Sequence, residues 1–531
     1  MTFTFLYYFF SALLFSGPNE KFSVAFTNME NFGVELSSKQ VSSWKNEAIL
    51  IPVAVKKQEK GPDTVRLTIN NPSSLSVKIA KLEYVLADLS AGACGANKVN
   101  GKFKEEYFPD RVNYLSGHTL GLDQEVNYFL AKVFIPESLE EGKHFLSFEF
   151  EELGTSKELS VEIEVRDRTL PDLNDLDFRI DFWQFPLSVS NYYQVGPWSE
   201  EHMDLLEDQF IHLKNINQKS ITTAVFWDLY NGRPKAKEAL MIQSIKKEDG
   251  SWEYDYTNFE KYVERGMACG INEQISVHNL FPWNHSYFFV DQKTGKVNKF
   301  TAALLSKEYQ EFWTPFLTDF SHYLKNKGWL GKVVFVIDER NKDQSIALAK
   351  YIKGINPQYK VGYAGRYYSD LSQVIDDYSL PSNVSLDEQE LEKRNNAGKI
   401  TTFYTACWEK QPNMLMMSNY YDFYFLLMLS KARGYDGFLR WAFNSWGSKI
   451  MTDARYSDVP SGDAHFFYPY GQPSIRYELI HDALEEVHKV AVLSDNKKVR
   501  KLLGDYTQKN LLGNQKARNK LVNAMMKQVN Q

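Results

Sequence analysis

Asp338, Glu339 and Arg340 stand side by side at the end of an apolar run, Val333-Val334-Phe335-Val336-Ile337. Two neighbouring carboxyl groups can transfer protons, stabilise positive charge or attack carbon, provided both are held toward one substrate. The run before them is rich in β-branched residues, the pattern of a strand buried on both faces. A helical pattern follows from Asp343 to Ile355. A parallel strand that stops at charged residues puts them at its C-terminal edge, where α/β barrels and open α/β sheets build active sites. The plain alternative is a solvated strand end with an ion pair to Arg340.

Further polar and aromatic residues close comparable apolar runs. Asp181 and Trp183 end the first, Trp227 and Asp228 the second, and His278 with Asn279 the third. Tyr404 and Trp408 follow a later run, and Trp441, Asn444 and Trp446 the last. The set combines carboxylates, aromatic rings and amides with few cations, which suits a neutral sugar better than a phosphate. Each also has a structural reading: Trp227 and Trp441 as packing, His278 as a satisfied buried imidazole, Asp181 as a loop brace. Their weight comes from convergence on one mouth.

That convergence requires a barrel. From Phe178 onward the rhythm is strand, loop, helix, repeated eight times. The strands are predicted at 178–184, 220–226, 273–277, 333–337, 360–364, within 377–386, 399–404 and 437–443. Ser199 is the predicted N-cap of the first helix, with Met203, Leu206, Phe210 and Leu213 on its core face. Eight such units predict a (β/α)8 TIM barrel. Before them, from about Lys21 to Val165, short alternating strands broken by turns predict an antiparallel β-sandwich of about seven strands. The organisation expected is a signal peptide over 1–17, a β-sandwich domain over 18–166, a linker over 167–177 and the barrel with C-terminal helices over 178–531.

Composition narrows the function. The chain has 531 residues, net charge −6 and 24% charged residues, which argues against binding nucleic acid through phosphate neutralisation. Aromatic residues make up 15%; many must fill cores, and sugar-binding clefts also use aromatic faces, so composition permits a carbohydrate protein without showing one. No HExxH, P-loop or GxGxxG pattern is present, and Cys94, Cys269 and Cys407 lack metal-ligand spacing. No metal or organic cofactor is implied. The three cysteines predict no disulfide framework and leave at least one thiol free. The apolar run Thr2–Phe15 has the length of a signal-peptide core, although no Lys or Arg precedes it. Export to a periplasmic or extracellular setting is expected, with no other segment able to insert stably in a membrane.

From Leu176 to Val487 the sequence resembles glycoside hydrolase family 123, the β-N-acetylgalactosaminidases. The stretches that carry the resemblance are DFWQFP at 181–186, YYQVGPWSEEH at 192–202, VFVIDE at 334–339 and FYTACWEKQPN at 403–413. DGFLRWAFNSW at 436–446 and GDAHFFYP at 462–469 complete it. The resemblance implies a β-sandwich followed by a barrel, and exo-acting, retaining hydrolysis assisted by the substrate. The sugar's acetamido carbonyl attacks its own anomeric carbon, outside the usual two-carboxylate scheme. Asp338 would orient the acetamido group as an oxazolinium-like intermediate forms. Glu339 would protonate the leaving oxygen and then deprotonate water. Tyr404 would be a second ligand of the acetamido oxygen and Trp441 a floor beneath the ring.

Adjacent residues on an ideal strand point oppositely, so these roles require a bend at Asp338-Glu339. The expected partner is a glycan or glycoconjugate with terminal β-linked N-acetylgalactosamine (GalNAc); the oligomeric state is not legible. Two alternatives stay open. One is a glycosidase on another sugar with Asp228 or Asp181 as a conventional nucleophile. The other is a non-catalytic glycan-binding barrel.

Overall fold

The computed structural model describes residues 21–27, 38–152, 154–226, 229, 236–508 and 510–531. The expected signal segment over 1–17, together with Trp227 and Asp228, lies outside the described residues. The chain divides into two compact units: 1–176 with 407–429 and 449–531, and 177–406 with 430–448.

The first unit holds two five-stranded sheets. In one the order is Phe22–Phe26, Glu47–Lys57, Val126–Ile135, Ser76–Asp88, Glu105–Tyr114. In the other it is Ser38–Lys45, Thr155–Thr169, Gly142–Glu152, Thr64–Asn70, Thr119–Gly121. The pairing is antiparallel except that Ser38–Lys45 runs parallel to Thr155–Thr169. Leu159, Val161, Ile163 and Val165 enter one apolar core, as their alternation predicts.

Among the described residues ten strands stand where about seven are expected, and four of the ten are edge strands, two in each sheet. An edge strand needs fewer ladder bonds and less burial on its face, so its sequence can be polar or carry a proline. SKQVSSWK and EEYFPDRVNY are examples. The expected linker also shortens, because strand Thr155–Thr169 continues through Arg166 and Asp167.

The segment 449–531, expected with the barrel, groups with the sandwich. Helix Ile475–Val492 explains this, because its charged side chains find partners on the sandwich strands. Glu478 accepts from Lys132 Nζ at 2.8 Å, and Lys489 Nζ donates to Glu47 Oε1 at 2.6 Å. Arg476 donates to both oxygens of Asp110, at 2.8 and 3.0 Å. Cys94 and Cys407 form a disulfide across a sequence separation of 313 residues. Their spacing gave no sign of it; the fold brings their Cα atoms to 5.7 Å. Cys269 is free.

The second unit is the barrel. Its parallel strands are β1 (Arg179–Phe182), β2 (Ser220–Ala224), β3 (Gln274–His278) and β4 (Val333–Asp338). They continue as β5 (Lys360–Ala364), β6 (Asp377–Pro381), β7 (Ile400–Tyr404) and β8 (Gly437–Arg440). Neighbours pair in sequence order, with β8 beside β1. The last seam, between β1 and β2, is bridged at Ile180 and Gln218, where Lys219 N–H donates to Ile180 O at 3.2 Å. The barrel is therefore nearly closed.

Helix Glu200–Asn215 starts at Ser199, whose hydroxyl accepts from His202 N–H at 3.2 Å, and buries Met203, Leu206, Phe210 and Leu213 as predicted. A four-stranded sheet made of 243–246, 252–255, 286–291 and 297–301 flanks the third unit. It packs aromatic rings onto helix Lys307–Asn326, with Trp252 and Phe312 centroids 5.1 Å apart.

Candidate active site

Strand β4 decides where the carboxylates go. Phe335 faces outward, its ring 4.8 Å from Tyr359 and 6.4 Å from Phe320 of helix Lys307–Asn326. Val336 has the opposite parity and packs against the cluster of Trp183, Ala364, Tyr404 and Leu439. Asp338 shares the parity of Val336 and is directed to the same side. Regular strand geometry would turn Glu339 away. Glu339 instead has φ of 40°, in the left-handed region that non-glycine residues seldom occupy. Such a conformation costs on the order of 1–3 kcal/mol and persists where the surroundings impose it. Here Glu339 N–H donates to Ala364 O at 2.7 Å, anchoring the bend to β5. Asn341 then caps helix Lys342–Ile355, its side-chain oxygen accepting from Asp343 and Gln344 N–H at 3.0 and 3.3 Å.

The bend brings Glu339 to Tyr404, whose hydroxyl donates to Glu339 Oε1 at 2.5 Å. Asp338 Oδ2 accepts from the indole N–H of Trp283 at 3.3 Å. Arg340 places its guanidinium over the Trp283 ring, 3.7 Å from the centroid, and donates to Phe281 O. Ends of β4 and β7 and the loop after β3 thus meet at the carboxylate pair. A bent pair held by neutral donors can serve proton transfer and charge stabilisation together.

The other expected residues separate into groups. Trp183 and Tyr404 are buried together in the apolar cluster at the mouth, with Trp441 packed against it. Trp441 also meets Phe185 edge-on at 5.8 Å. His278 contacts Trp183 edge-on at 4.8 Å, and burial pushes its imidazole down to about 3, so it is neutral. Among the described residues, His278 Nε2 and Trp183 Nε1 have no hydrogen-bond partner.

Asp181 lies within the barrel, not at its mouth. The Ser220 hydroxyl donates to it, and burial raises its carboxyl to about 6 despite the Arg179 charge. Below it Arg179 donates to Gln274 at 2.9 Å, and Gln274 to Asp377 at 3.0 Å, in a polar barrel interior. Asn444 is a brace. Its oxygen accepts from Phe185 N–H at 2.8 Å and its amide donates to Gln209. Trp446 packs edge-on against Tyr192 at 5.7 Å and Tyr193 at 6.3 Å. Trp408 belongs to the other compact unit.

Sequence reasoning missed Trp283. It sits in Leu280-Phe-Pro-Trp-Asn-His285, directly after the strand end at His278. An aromatic beside a proline in a post-strand loop was the available signal.

A nearly closed parallel barrel with a carboxylate pair and aromatic rings at its strand ends has the (β/α)8 architecture, in which strand ends build active sites. The pattern of glycoside hydrolase 123, catalytic domain, matches residues 183–493. The chain belongs to glycoside hydrolase family 123 and is therefore a glycosidase. A solved family 123 glycoside hydrolase from Clostridium perfringens, described for glycolipid glycan hydrolysis, superposes with a TM-score of 0.83 at 19% identity. The match covers 96% of this chain and 98% of that one, and at this identity it establishes the shared fold. An endo-β-1,4-mannanase from Thermotoga petrophila overlaps with a TM-score of 0.36 at 10% identity, over 59% of this chain and 78% of that one. That overlap adds nothing to the assignment. No curated protein sequence matches the chain.

Proposed function

We propose that the barrel releases terminal β-linked GalNAc from a glycan by exo-acting, retaining, substrate-assisted hydrolysis. Asp338 orients and stabilises the acetamido group while its carbonyl oxygen attacks the anomeric carbon. Glu339 delivers a proton to the departing glycosidic oxygen. It then accepts a proton from the water that opens the oxazolinium-like intermediate. The carrying observation is the left-handed turn at Glu339, which brings two consecutive carboxylates into reach of Tyr404 and Trp283. The Tyr404 hydroxyl bonds the general acid directly, so we assign it to orienting Glu339.

The reading also takes the enzyme to be exported. The Cys94–Cys407 pairing supports this, because persistent disulfides belong mainly to oxidising compartments. Among the described residues no helix is long and apolar enough to cross a membrane. The glycan of a glycolipid, the substrate named for the Clostridium perfringens relative, is the first natural substrate class to assay.

The test is hydrolysis of 4-nitrophenyl β-GalNAc beside 4-nitrophenyl β-galactoside, by wild type, Asp338→Asn and Glu339→Gln. Release from the acetamido sugar alone, lost in both variants, supports the proposal. Cleavage of the galactoside refutes substrate assistance and returns the chemistry to a conventional nucleophile.

A further inference from the structure

Trp283 is held by several contacts on the loop that leaves β3. Its N–H meets Asp338 Oδ2 at 3.3 Å, and the Arg340 guanidinium covers its ring at 3.7 Å. The same guanidinium donates to the carbonyl of Phe281, two residues earlier, from Nε at 3.1 Å and Nη2 at 2.9 Å. Leu280 O accepts from the Tyr309 hydroxyl at 3.0 Å, which fixes the start of the loop. Arg340 is itself tied down, because its carbonyl accepts from the Tyr363 hydroxyl at 2.9 Å. The residue that follows the carboxylate pair therefore grips the loop that carries the indole.

Trp283 is nevertheless 56% exposed. A large aromatic that is fixed in place yet open to solvent contributes little to a core. Its chemistry is directed at Asp338. The terminal torsion of an aspartate is broad, and a fixed donor narrows the orientations its carboxylate samples. An indole N–H sets the plane of the carboxylate without neutralising its charge, as a bonded lysine would.

We propose that Trp283 is a positioning residue for Asp338, orienting its carboxylate toward the substrate's acetamido group, and that Arg340 acts through Trp283 by clamping its loop. This rests on the substrate-assisted reading given above. Asp338 works at the acetamido group and Glu339 at the leaving oxygen, so their supporting residues should respond differently to the leaving group.

The experiment compares Trp283→Phe and Arg340→Met with Glu339→Gln on 2,4-dinitrophenyl and phenyl β-GalNAc. Trp283→Phe should lower kcat about tenfold, the worth of one hydrogen bond to a charged group, with KM within about twofold. The factor should be the same for both leaving groups, and Tm unchanged. Arg340→Met should show the same pattern with smaller amplitude. Glu339→Gln should lose far more on the phenyl glycoside. A Trp283→Phe enzyme with unchanged kcat overturns the proposal, as does a loss that follows the leaving group or resides in KM.

Should wild type spare acetamido sugars, the proposed function fails, and the contact is then read without turnover. In 5-fluorotryptophan-labelled protein, the 19F resonance that Trp283→Phe removes should shift on Asp338→Asn. A resonance that stays in place overturns the positioning role as well.

Discussion

A group of buried carboxylates in the sandwich unit and the carboxylate pair at the barrel mouth are met by different kinds of donor. In the sandwich unit five that join distant segments are each met by a full positive charge, whereas Asp482 accepts from the Tyr424 hydroxyl. Asp110 faces Arg476, Glu478 faces Lys132, Glu47 and Glu486 share Lys489, and Asp422 faces Arg518. At the barrel mouth Asp338 accepts from an indole N–H and Glu339 from a phenol. A bonded cation cancels charge and locks geometry, which suits a residue whose task is to join segments. A neutral donor orients a carboxylate and leaves its charge and its proton free to work.

Breaking the contrast at the mouth should have the largest effect. Glu339→Gln and Asp338→Asn should each reduce kcat/KM for 4-nitrophenyl β-GalNAc on the order of 10²–10⁴-fold. Tm should stay at the wild-type value, because neither group carries packing in the core.

The reverse should hold in the sandwich unit. Arg476→Met strands the buried Asp110 and should cost about 3–5 kcal/mol in denaturant unfolding. Burial alone would raise Asp110, but the Arg476 charge and its hydrogen bonds outweigh burial and hold the carboxyl below its usual range. Its stabilisation is therefore present above the unfolded value of about 3.9 and is lost as pH falls through the lower folded value. An acid titration of Tm in wild type and Asp110→Asn measures that limb.

A smaller effect is expected from Tyr404→Phe, which removes the donor to Glu339 and leaves the ring in its cluster. Turnover should fall roughly tenfold with stability nearly unchanged.

The smallest concerns Asp181, the acid that fits neither class. Burial raises it to about 6, so the stabilisation it contributes is complete below about 3.9 and is lost as pH rises through the folded value. Asp181→Asn should flatten the dependence of unfolding free energy on pH across that window while sparing the shape of the kcat profile.

Much of the barrel was legible because its strands are buried on both faces and read as unbroken apolar runs. The sixth strand, Asp377–Pro381, was the faintest, carrying Asp377 and Ser379 into a polar interior. In the sandwich the central strands stood out through alternation, whereas all four edge strands stayed hidden. The inserted sheet, built from the βα loops of the second and third units, was also missed. Its short strands, such as Gln243–Lys246 and Trp252–Asp255, carry mixed polar sequences. They are ordered by rings on a neighbouring helix instead of by their own pattern. Asp181 and Asn444 illustrate a different gap. Position at a strand end marks a candidate for the mouth, but hydrogen-bond partners decide whether it braces the scaffold or meets a substrate.

What the sequence determined by itself is local and periodic: a buried strand through Ile337, a helical pattern from Asp343, and two carboxylates between them. Strand parity already sent Asp338 to the side of Val336. Which way Glu339 would turn was beyond any local rule, because the left-handed bend is unfavourable in isolation. It is held by Ala364 of the next strand and by Tyr404, distant in sequence. The same holds for Trp283, brought to Asp338 by a loop that Arg340 and Tyr309 pin down. Short-range propensity chooses strand and helix, but only contacts between distant segments can stabilise the strained turn that points both carboxylates into one mouth.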